Sequence, residues 1–463
     1  MLPRVDARFI GRLRDRLGQD AVSDDEMVRA RHAIGQSFPE LVRAQRGEVR
    51  DPPLAVITAR SREHVAETLA ACAALDLCVV PFGGGTSVTG GVAGPNSPHV
   101  TVSTRGLAAL HGIDRTSRVA TVDAGMLGPE LETALSRDGL TLAHFPQSFE
   151  RSTVGGWVAT RSAGQLSTGV GAIADLVVGL RCVAPTGEIV IPPMPPSSEG
   201  PNLRELVLGS EGRFGVITDV SLRVRPLPEA ADRNAWLFGS FAEGLAAVRA
   251  ALQDGAAPHL VRLSDEAETT LLANASGALL IAGIEGATAD VARDRARLAA
   301  IGAGARALGP EPAARWYETR YDAPYLRDAL LERGVLADSL ETATLWSNVE
   351  TVHRAVRDAL RAALDPAGRA LVLCHVSHAY ATGASLYFTF VAPGGEDALE
   401  RWWSAKRAAL DAMLAAGAVV SHHHGIGRDH REWQARRIGP TAVSVIDSVA
   451  GVLDPGRVLA ANR

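Results

Sequence analysis

The sequence predicts an α+β protein made of more than one domain, and three observations carry that expectation. At 463 residues the chain is longer than a single hydrophobic core usually supports. From Ala55 to about Pro228, short β-type runs alternate with helical stretches. From about Ala235 to Val420, alanine-rich helical segments mix with strands such as Ala370-Leu371-Val372-Leu373 and Leu386-Tyr387-Phe388-Thr389-Phe390.

Taken in order, Ala55-Val56-Ile57-Thr58 reads as a strand, and Ser61 as the N-cap of a helix reaching about Leu75. Leu77-Cys78-Val79-Val80 is a second strand that runs directly into Pro81-Phe82-Gly83-Gly84-Gly85-Thr86-Ser87. Val100-Thr101-Val102 and Val119-Ala120-Thr121-Val122 follow as strands. Pro129 then sits in the first turn of a helix that Gly139 ends. The runs Leu176–Val183 and Glu188–Val190 flank a Pro185-Thr186-Gly187 turn, which is a hairpin signal. Pro192–Ser198 reads as a surface loop, and the break at Pro226-Leu227-Pro228 as a domain boundary. The expected organisation is a helical segment over 1–50, a cofactor domain over 51–228, a substrate-binding cap over 229–425, and a helical segment over 426–463 that returns to the cofactor domain.

Bulk properties remove several function classes. A net charge of -5 leaves no Lys/Arg surplus for neutralising phosphates, so nucleic acid is not expected as a partner. Cys72, Cys78, Cys182 and Cys374 show neither metal-ligand nor disulfide-framework spacing, which suits a reducing compartment. The start, Met1–Asp6, has no cationic-then-apolar signal, and no apolar run reaches bilayer-spanning length. A cytoplasmic location follows, with peripheral membrane contact left open.

A dinucleotide pyrophosphate needs several backbone N–H groups converging on one anion, with no side chains blocking the approach. Consecutive glycines after a strand meet that need, because they reach positive φ and lack Cβ. Gly83-Gly84-Gly85-Thr86-Ser87, followed by Gly90-Gly91, also supplies two hydroxyls; it fits neither the G-x-G-x-x-G nor the Walker pattern. Two later segments combine glycines with hydroxyls in the same way. The first runs from His144-Phe145-Pro146-Gln147-Ser148-Phe149-Glu150-Arg151-Ser152-Thr153 to Thr160-Arg161-Ser162-Ala163-Gly164. The second is Gly209-Ser210-Glu211-Gly212-Arg213-Phe214-Gly215-Val216-Ile217-Thr218.

Together these three segments, in this order, resemble the FAD-binding domain of the vanillyl-alcohol oxidase/p-cresol methylhydroxylase flavoproteins. The resemblance covers about Ala55 to Pro228. It implies that Pro81 to Ser87 embraces the pyrophosphate, that Gln147 to Thr153 and Thr160 to Ala163 line the flavin and ribityl side, and that Glu211 to Ile217 holds the remainder. Some members of that superfamily attach FAD covalently through a histidine in the glycine loop. Gly85 and Thr86 stand there, so FAD is expected to be non-covalent.

The second half carries Cys374-His375-Val376-Ser377-His378-Ala379-Tyr380 and Ser421-His422-His423-His424-Gly425-Ile426-Gly427. A run of three histidines is hard to explain as packing, since each buried imidazole needs a partner. A metal site on His375, His378 and His424 competes with a catalytic reading, although no Asp or Glu adjoins either cluster in sequence before Asp429. Tyr380 also reads as a core aromatic, and Arg327, beside Asp328, as an exposed helical arginine.

A narrower resemblance bears on these residues. The His-x-x-His-Ala-Tyr-x-x-Gly core, Ser421 to Gly427, Tyr325 to Leu330, Ser339 to Ala343 and Val261 to Asp265 are similar to parts of the alkyldihydroxyacetonephosphate synthase family. That family exchanges the acyl chain of acyl-dihydroxyacetone phosphate for a fatty alcohol without net redox change, the oxidised flavin acting as an electron sink. The resemblance implies that Tyr380 donates and accepts the proton, with its pKa lowered by nearby cations, and that Arg327 binds the substrate phosphate. It further implies that Arg262 supports the site near the flavin, that His422, His423 and His424 orient the substrate, that the substrate is a small lipid-like molecule, and that the protein is a homodimer. No metal is implied. Gln147 replaces an Asp typical of the family, and Gln165-Leu166-Ser167-Thr168 replaces basic residues. An FAD-linked dehydrogenase or oxidase of 2-hydroxy acids, which generally carries Glu-His-Gly in the last motif, is the alternative; His423 stands at that position. A flavin-binding protein without catalysis is a third.

Overall fold

The computed structural model describes residues 7–365 and 367–462. Their α+β architecture rests on three sheets.

The first is four-stranded, in the order Val22–Ser23, Val56–Thr58, His99–Ser103, Cys78–Phe82. Its three longer strands are parallel, and the helix Arg62–Ala74 between two of them is capped by Ser61, whose hydroxyl accepts from His64 N at 3.1 Å. The segment Val458–Leu459 lies beside the Cys78–Phe82 strand: Val79 N donates to Val458 O at 2.7 Å and Val79 pairs with Leu459. Both residues are buried in the core that also holds Ile57 and Val100.

The second sheet is five-stranded and antiparallel, in the order Leu110–Asp114, Val119–Asp123, Val216–Arg223, Val177–Ala184, Gly187–Ile191. The hairpin expected at Pro185–Gly187 joins its last two strands. Leu110–Asp114, with two of its five residues half-buried and the rest exposed, carries no apolar run to mark it in the sequence.

The third sheet has seven antiparallel strands, in the order Arg306–Gly309, Ala230–Phe238, Ala278–Gly286, Leu260–Ser264, Leu371–Ala379, Gly383–Ala392, Leu336–Leu345. Alternation along each strand separates two faces. Val261, Leu263, Cys374, Val376, Leu386, Phe388 and Leu340 pack under the helices Phe241–Gln253, Val349–Leu364 and Ala398–Ala415. The intervening residues Leu260, Leu279 and Ile281 face the other way, against Ala143 and Leu166 of the first half. Arg262, His375, Tyr387 and Glu341 share this second parity. The register places Glu341 opposite Tyr387, and Tyr387 opposite His375, in one row across three strands. A shift of register between Val376 and His378 turns His378 onto the same face, paired with Ser385.

All four cysteines are buried and free. Among the described residues no helix is long and apolar enough to cross a membrane.

Candidate active site

The Cys78–Phe82 strand delivers the glycine loop to the junction of the two halves. Each glycine has a distinct steric reason to be there. A Cβ at Gly83 would strike the Thr153 hydroxyl, and one at Gly84 would overlap the Arg151 carbonyl, while Gly85 takes φ +66°. The backbone N–H groups of Gly83, Gly84, Gly85, Thr86 and Ser87 meet no acceptor among the described residues. The Ser210 hydroxyl, buried nearby in sequence to Glu211, also lacks a partner. Five consecutive half-buried backbone donors left free form a cradle for an anion, so the loop fits the diphosphate of a dinucleotide such as FAD.

The other positions expected to bind the cofactor divide into two groups. Thr153 is buried and caps the helix Val154–Thr160, accepting from Gly156 N at 3.2 Å. Ser152 accepts from Trp157 Nε1 at 2.7 Å, Ser162 meets His144 Nε2 at 2.8 Å, and Thr160 donates to Gly156 O at 3.0 Å. Pro81 packs on Gly212, Phe82 on the His32 ring, and Ala163, Phe214 and Val216 are buried beside them. Gly215, at φ +142°, lies against Cys182, and Ile217 is part of the core beneath.

Side chains of the second group are spent elsewhere. Arg161 pairs with Glu205 at 3.0 Å, Arg213 pairs with Asp447, Glu150 accepts from Tyr325 OH at 2.8 Å, and Arg151 lies over the Tyr325 ring. Gln147 donates to Arg320 O at 2.6 Å, the Ser148 carbonyl accepts from Arg151 N and Ser152 N, and Phe149 stacks on Tyr321. The expectation that Glu211 lines the cofactor needs revision on the same ground. Its carboxylate accepts from Ile426 N at 3.2 Å and from Gly427 N at 3.1 Å, so it holds the end of the histidine run.

The histidine run and Tyr380 do meet. Tyr380 OH lies 2.7 Å from His422 Nε2, and His422 Nδ1 lies 3.0 Å from His423 Nδ1, an unbroken chain of three side chains. Burial lowers the pKa of His422 to about 4 and that of His423 to about 3, so both rings are neutral near pH 7. The sequence reading needed cations to lower the Tyr380 pKa. The structure reverses this: burial first, then Asp175 and Glu341, push it well above the ordinary phenol range. Tyr380 therefore stays protonated and donates to His422 Nε2, which places the His422 proton on Nδ1.

The missing acid is also present, brought from afar. Glu341 is fully buried beneath the run, and its carboxylate accepts from the backbone of His422, His423 and His424 and from the Ser421 hydroxyl. Burial alone would raise its pKa, but His423, His424, His422 and the backbone N–H of His423 outweigh burial and hold it well below the usual range. A second buried carboxylate, Glu268, accepts from Arg262 at 2.9 Å and meets His375 Nδ1 at 3.0 Å. Arg262 is thus linked through Glu268 to His375, whose ring stacks on Tyr387. Glu341 and Glu268 carried no signal near the histidines in sequence, because the contacts join residues about two or more strands apart.

Arg327, on the helix Ala323–Glu332, is largely buried rather than exposed: its guanidinium donates to Gln36 O at 3.0 Å and to Gln36 Oε1 at 3.2 Å, and pairs with Asp328 at 2.8 Å. Gln36 also donates its backbone N–H to the Ser87 carbonyl at 2.7 Å, which links Arg327 to the glycine loop.

The metal alternative shifts its ligand set. Ring nitrogens of His378, His422 and His423 lie within 4.8 Å of one another. Those atoms already have partners: His378 Nε2 meets Gly164 O at 2.9 Å, His378 Nδ1 faces Ser377, and both His422 nitrogens belong to the Tyr380–His423 chain. Binding a cation there would break each of these bonds.

Comparison with known proteins agrees with this geometry. Residues 53–191 match the family described as FAD binding domain, and residues 227–463 match FAD linked oxidases, C-terminal domain. The alkyldihydroxyacetonephosphate synthase of Trypanosoma brucei brucei is 32% identical over 98% of this chain and 80% of its own length. A solved alkyldihydroxyacetonephosphate synthase superposes with a TM-score of 0.86 at 28% identity, covering 99% of this chain and 87% of that one. p-Cresol methylhydroxylase, at 13% identity and a TM-score of 0.79, shares the fold. The chain belongs to the alkyldihydroxyacetonephosphate synthase family of FAD-binding flavoproteins, and FAD is its cofactor.

Proposed function

We propose that this family member is an FAD-dependent alkylglycerone-phosphate synthase, exchanging the acyl group of acyl-dihydroxyacetone phosphate for a fatty alcohol and releasing a fatty acid. The observation that carries the reading is the Tyr380–His422–His423 chain, on a segment whose His424 carbonyl accepts from the Thr89 hydroxyl two residues past the glycine loop. FAD, when bound, supplies a reversible electron sink to the substrate carbon. The protein's own residues handle charge and protons. Arg327 presents a fixed guanidinium to the phosphate. Tyr380 holds a proton that it can give to a leaving oxygen or, after losing it, recover from the incoming alcohol. Neutral His422 stands ready to share that proton, and His423 extends the path away from the reacting atoms.

Non-covalent attachment is supported by the absence of His and Cys from residues 81–87. In this reading residues 51–228 hold FAD, 229–425 cover the substrate, and 426–463 return to the flavin half. The product is an ether-lipid precursor formed in the cytoplasm, and exposed Leu271, Leu272, Leu326 and Leu345 on the cap suit contact with a membrane that supplies the fatty alcohol. A homodimer is carried by the family resemblance.

The test uses the yellow holoprotein. Fatty acid release from acyl-dihydroxyacetone phosphate that depends on added fatty alcohol is the expected result. Anaerobic bleaching of the flavin by D-lactate or glycolate, with no exchange, overturns the reading in favour of a 2-hydroxy acid dehydrogenase.

A further inference from the structure

We propose that Glu341 and Glu211 are positioning residues that clamp the histidine run from two sides, one carboxylate from each half of the protein. The proposal deepens the functional reading above and rests on it for the reaction being served.

The segment from Ser421 to Gly427 belongs to no helix or strand, so its backbone must find partners elsewhere. Three successive N–H groups, of His422, His423 and His424, converge on Glu341 at 2.8 to 3.1 Å, and Ser421 Oγ joins them at 2.9 Å. Consecutive amides closing on one carboxylate form an anion nest built within the chain. Its effect is directional. With the three amides turned toward Glu341, the imidazoles of His422 and His423 are presented to Tyr380 and to each other.

The far end of the segment is held from the flavin half. Glu211 takes the amides of Ile426 and Gly427, and Gly427 adopts φ +52° so that it fits against Thr89. Thr89 lies two residues past the glycine loop's Ser87; its carbonyl accepts from Arg428 N at 3.0 Å and Asp429 N at 3.2 Å. Glu341 sits on the last strand of the cap sheet, whereas Glu211 sits on the third cofactor segment. The segment therefore has its full set of acceptors only when both halves are docked.

The test begins with hydrogen–deuterium exchange on the native holoprotein. The amides of His422, His423, His424, Ile426 and Gly427 are expected to be protected, although they lie outside regular structure. In Glu341→Gln the oxygen that takes all four donors loses its negative charge and a donor amide replaces the second oxygen facing His422 N, so protection of the His422, His423 and His424 amides is expected to fall at least tenfold. Exchange kcat should drop about 100-fold with KM within about threefold, as for a misplacement on the order of 1 Å. Flavin absorbance should be unchanged, and the Nε2 resonance of His422 in 15N-histidine-labelled protein should move. Glu211→Gln should lose protection only at Ile426 and Gly427.

Native protein in which the amides of residues 422–424, 426 and 427 exchange at the rate of an open loop overturns the proposal, and so does a Glu341→Gln protein that keeps both protection and rate. If Glu341→Gln does not yield a yellow protein, the native exchange measurement decides. A wild type that is clamped in this Glu341-dependent way but performs no acyl exchange sinks the functional reading and leaves the clamp standing.

Discussion

Replacing Tyr380 with phenylalanine removes one oxygen from a buried chain and leaves the ring where it is. The Tyr380 backbone remains tied on both sides, with its N–H donating to Gly383 O at 2.8 Å and its carbonyl accepting from Trp346 Nε1 at 2.8 Å. The change strips His422 Nε2 of the partner it holds at 2.7 Å. An unpaired buried acceptor costs about 1–3 kcal/mol. In a chain of this size each kcal/mol lowers Tm by only about 2–4 °C, so the protein stays folded and yellow. Activity suffers far more, because a positioned acid–base group contributes about 10²- to 10⁴-fold. The assay is fatty acid release at saturating acyl-dihydroxyacetone phosphate and fatty alcohol, with flavin content measured in the same samples. A Tyr380→Phe protein that keeps kcat within about threefold of wild type refutes the proton-transfer role, since loss of an acid–base group lies well outside that margin. The pH profile adds an independent reading. With its pKa raised by burial, then by Asp175 and Glu341, Tyr380 should cause no alkaline loss of rate near pH ~10, where a free tyrosine ionises.

Three further outcomes can be measured. Gly84→Ala drives a Cβ into the Arg151 carbonyl and should yield colourless protein; a normal ratio of flavin to protein absorbance contradicts the cradle assignment. Arg327→Lys cannot make paired contacts and should raise KM for the phosphate substrate about 10- to 100-fold, with kcat much less affected, as for loss of one charged hydrogen bond. Glu268 sets an acid limit to stability. Burial raises its pKa, but Arg262 and His375 outweigh that and hold it at about 2. A depressed carboxyl pKa stabilises fully above the unfolded value of about 4.3 and loses its contribution as pH falls toward the folded value. The amount is on the order of 3 kcal/mol. Melting curves of Glu268→Gln should therefore start lower at neutral pH and lack the part of the wild-type acid decline between about pH 4 and about pH 2 that belongs to this group.

How much of this could be read from the sequence depended on chain distance. The Ser61 cap acts three residues away and the Pro185–Gly187 turn within a hairpin, so local chemistry sufficed for both. The glycine loop was legible because its physics is local: small residues and free amides in succession. The edge strand Leu110–Asp114 escaped notice because mostly exposed residues leave no apolar alternation. The site failed to declare itself for another reason. Glu341 lies 81 residues before His422, and Glu268 lies 107 before His375, so neither carboxylate appeared to belong to a histidine cluster. Only the sheet register, which sets Glu341, Tyr387 and His375 in one row, makes them neighbours. The expectation for the Tyr380 pKa, carried by the family resemblance, fails for a related reason: a shared motif does not say which charges, or how little water, surround a folded side chain.

The pairing of Val79 with Leu459 has a consequence for biogenesis. Translation produces the strand that leads into the glycine loop early, but its neighbour emerges only after the entire cap sheet has been made. A nascent chain halted anywhere inside the cap carries all three cofactor segments and still lacks a flank of the strand that aims them. Capture of FAD is thus expected late in synthesis, after the return of the polypeptide to its first sheet. Ribosome-bound chains should acquire flavin fluorescence quenching only once residue 459 has cleared the exit tunnel.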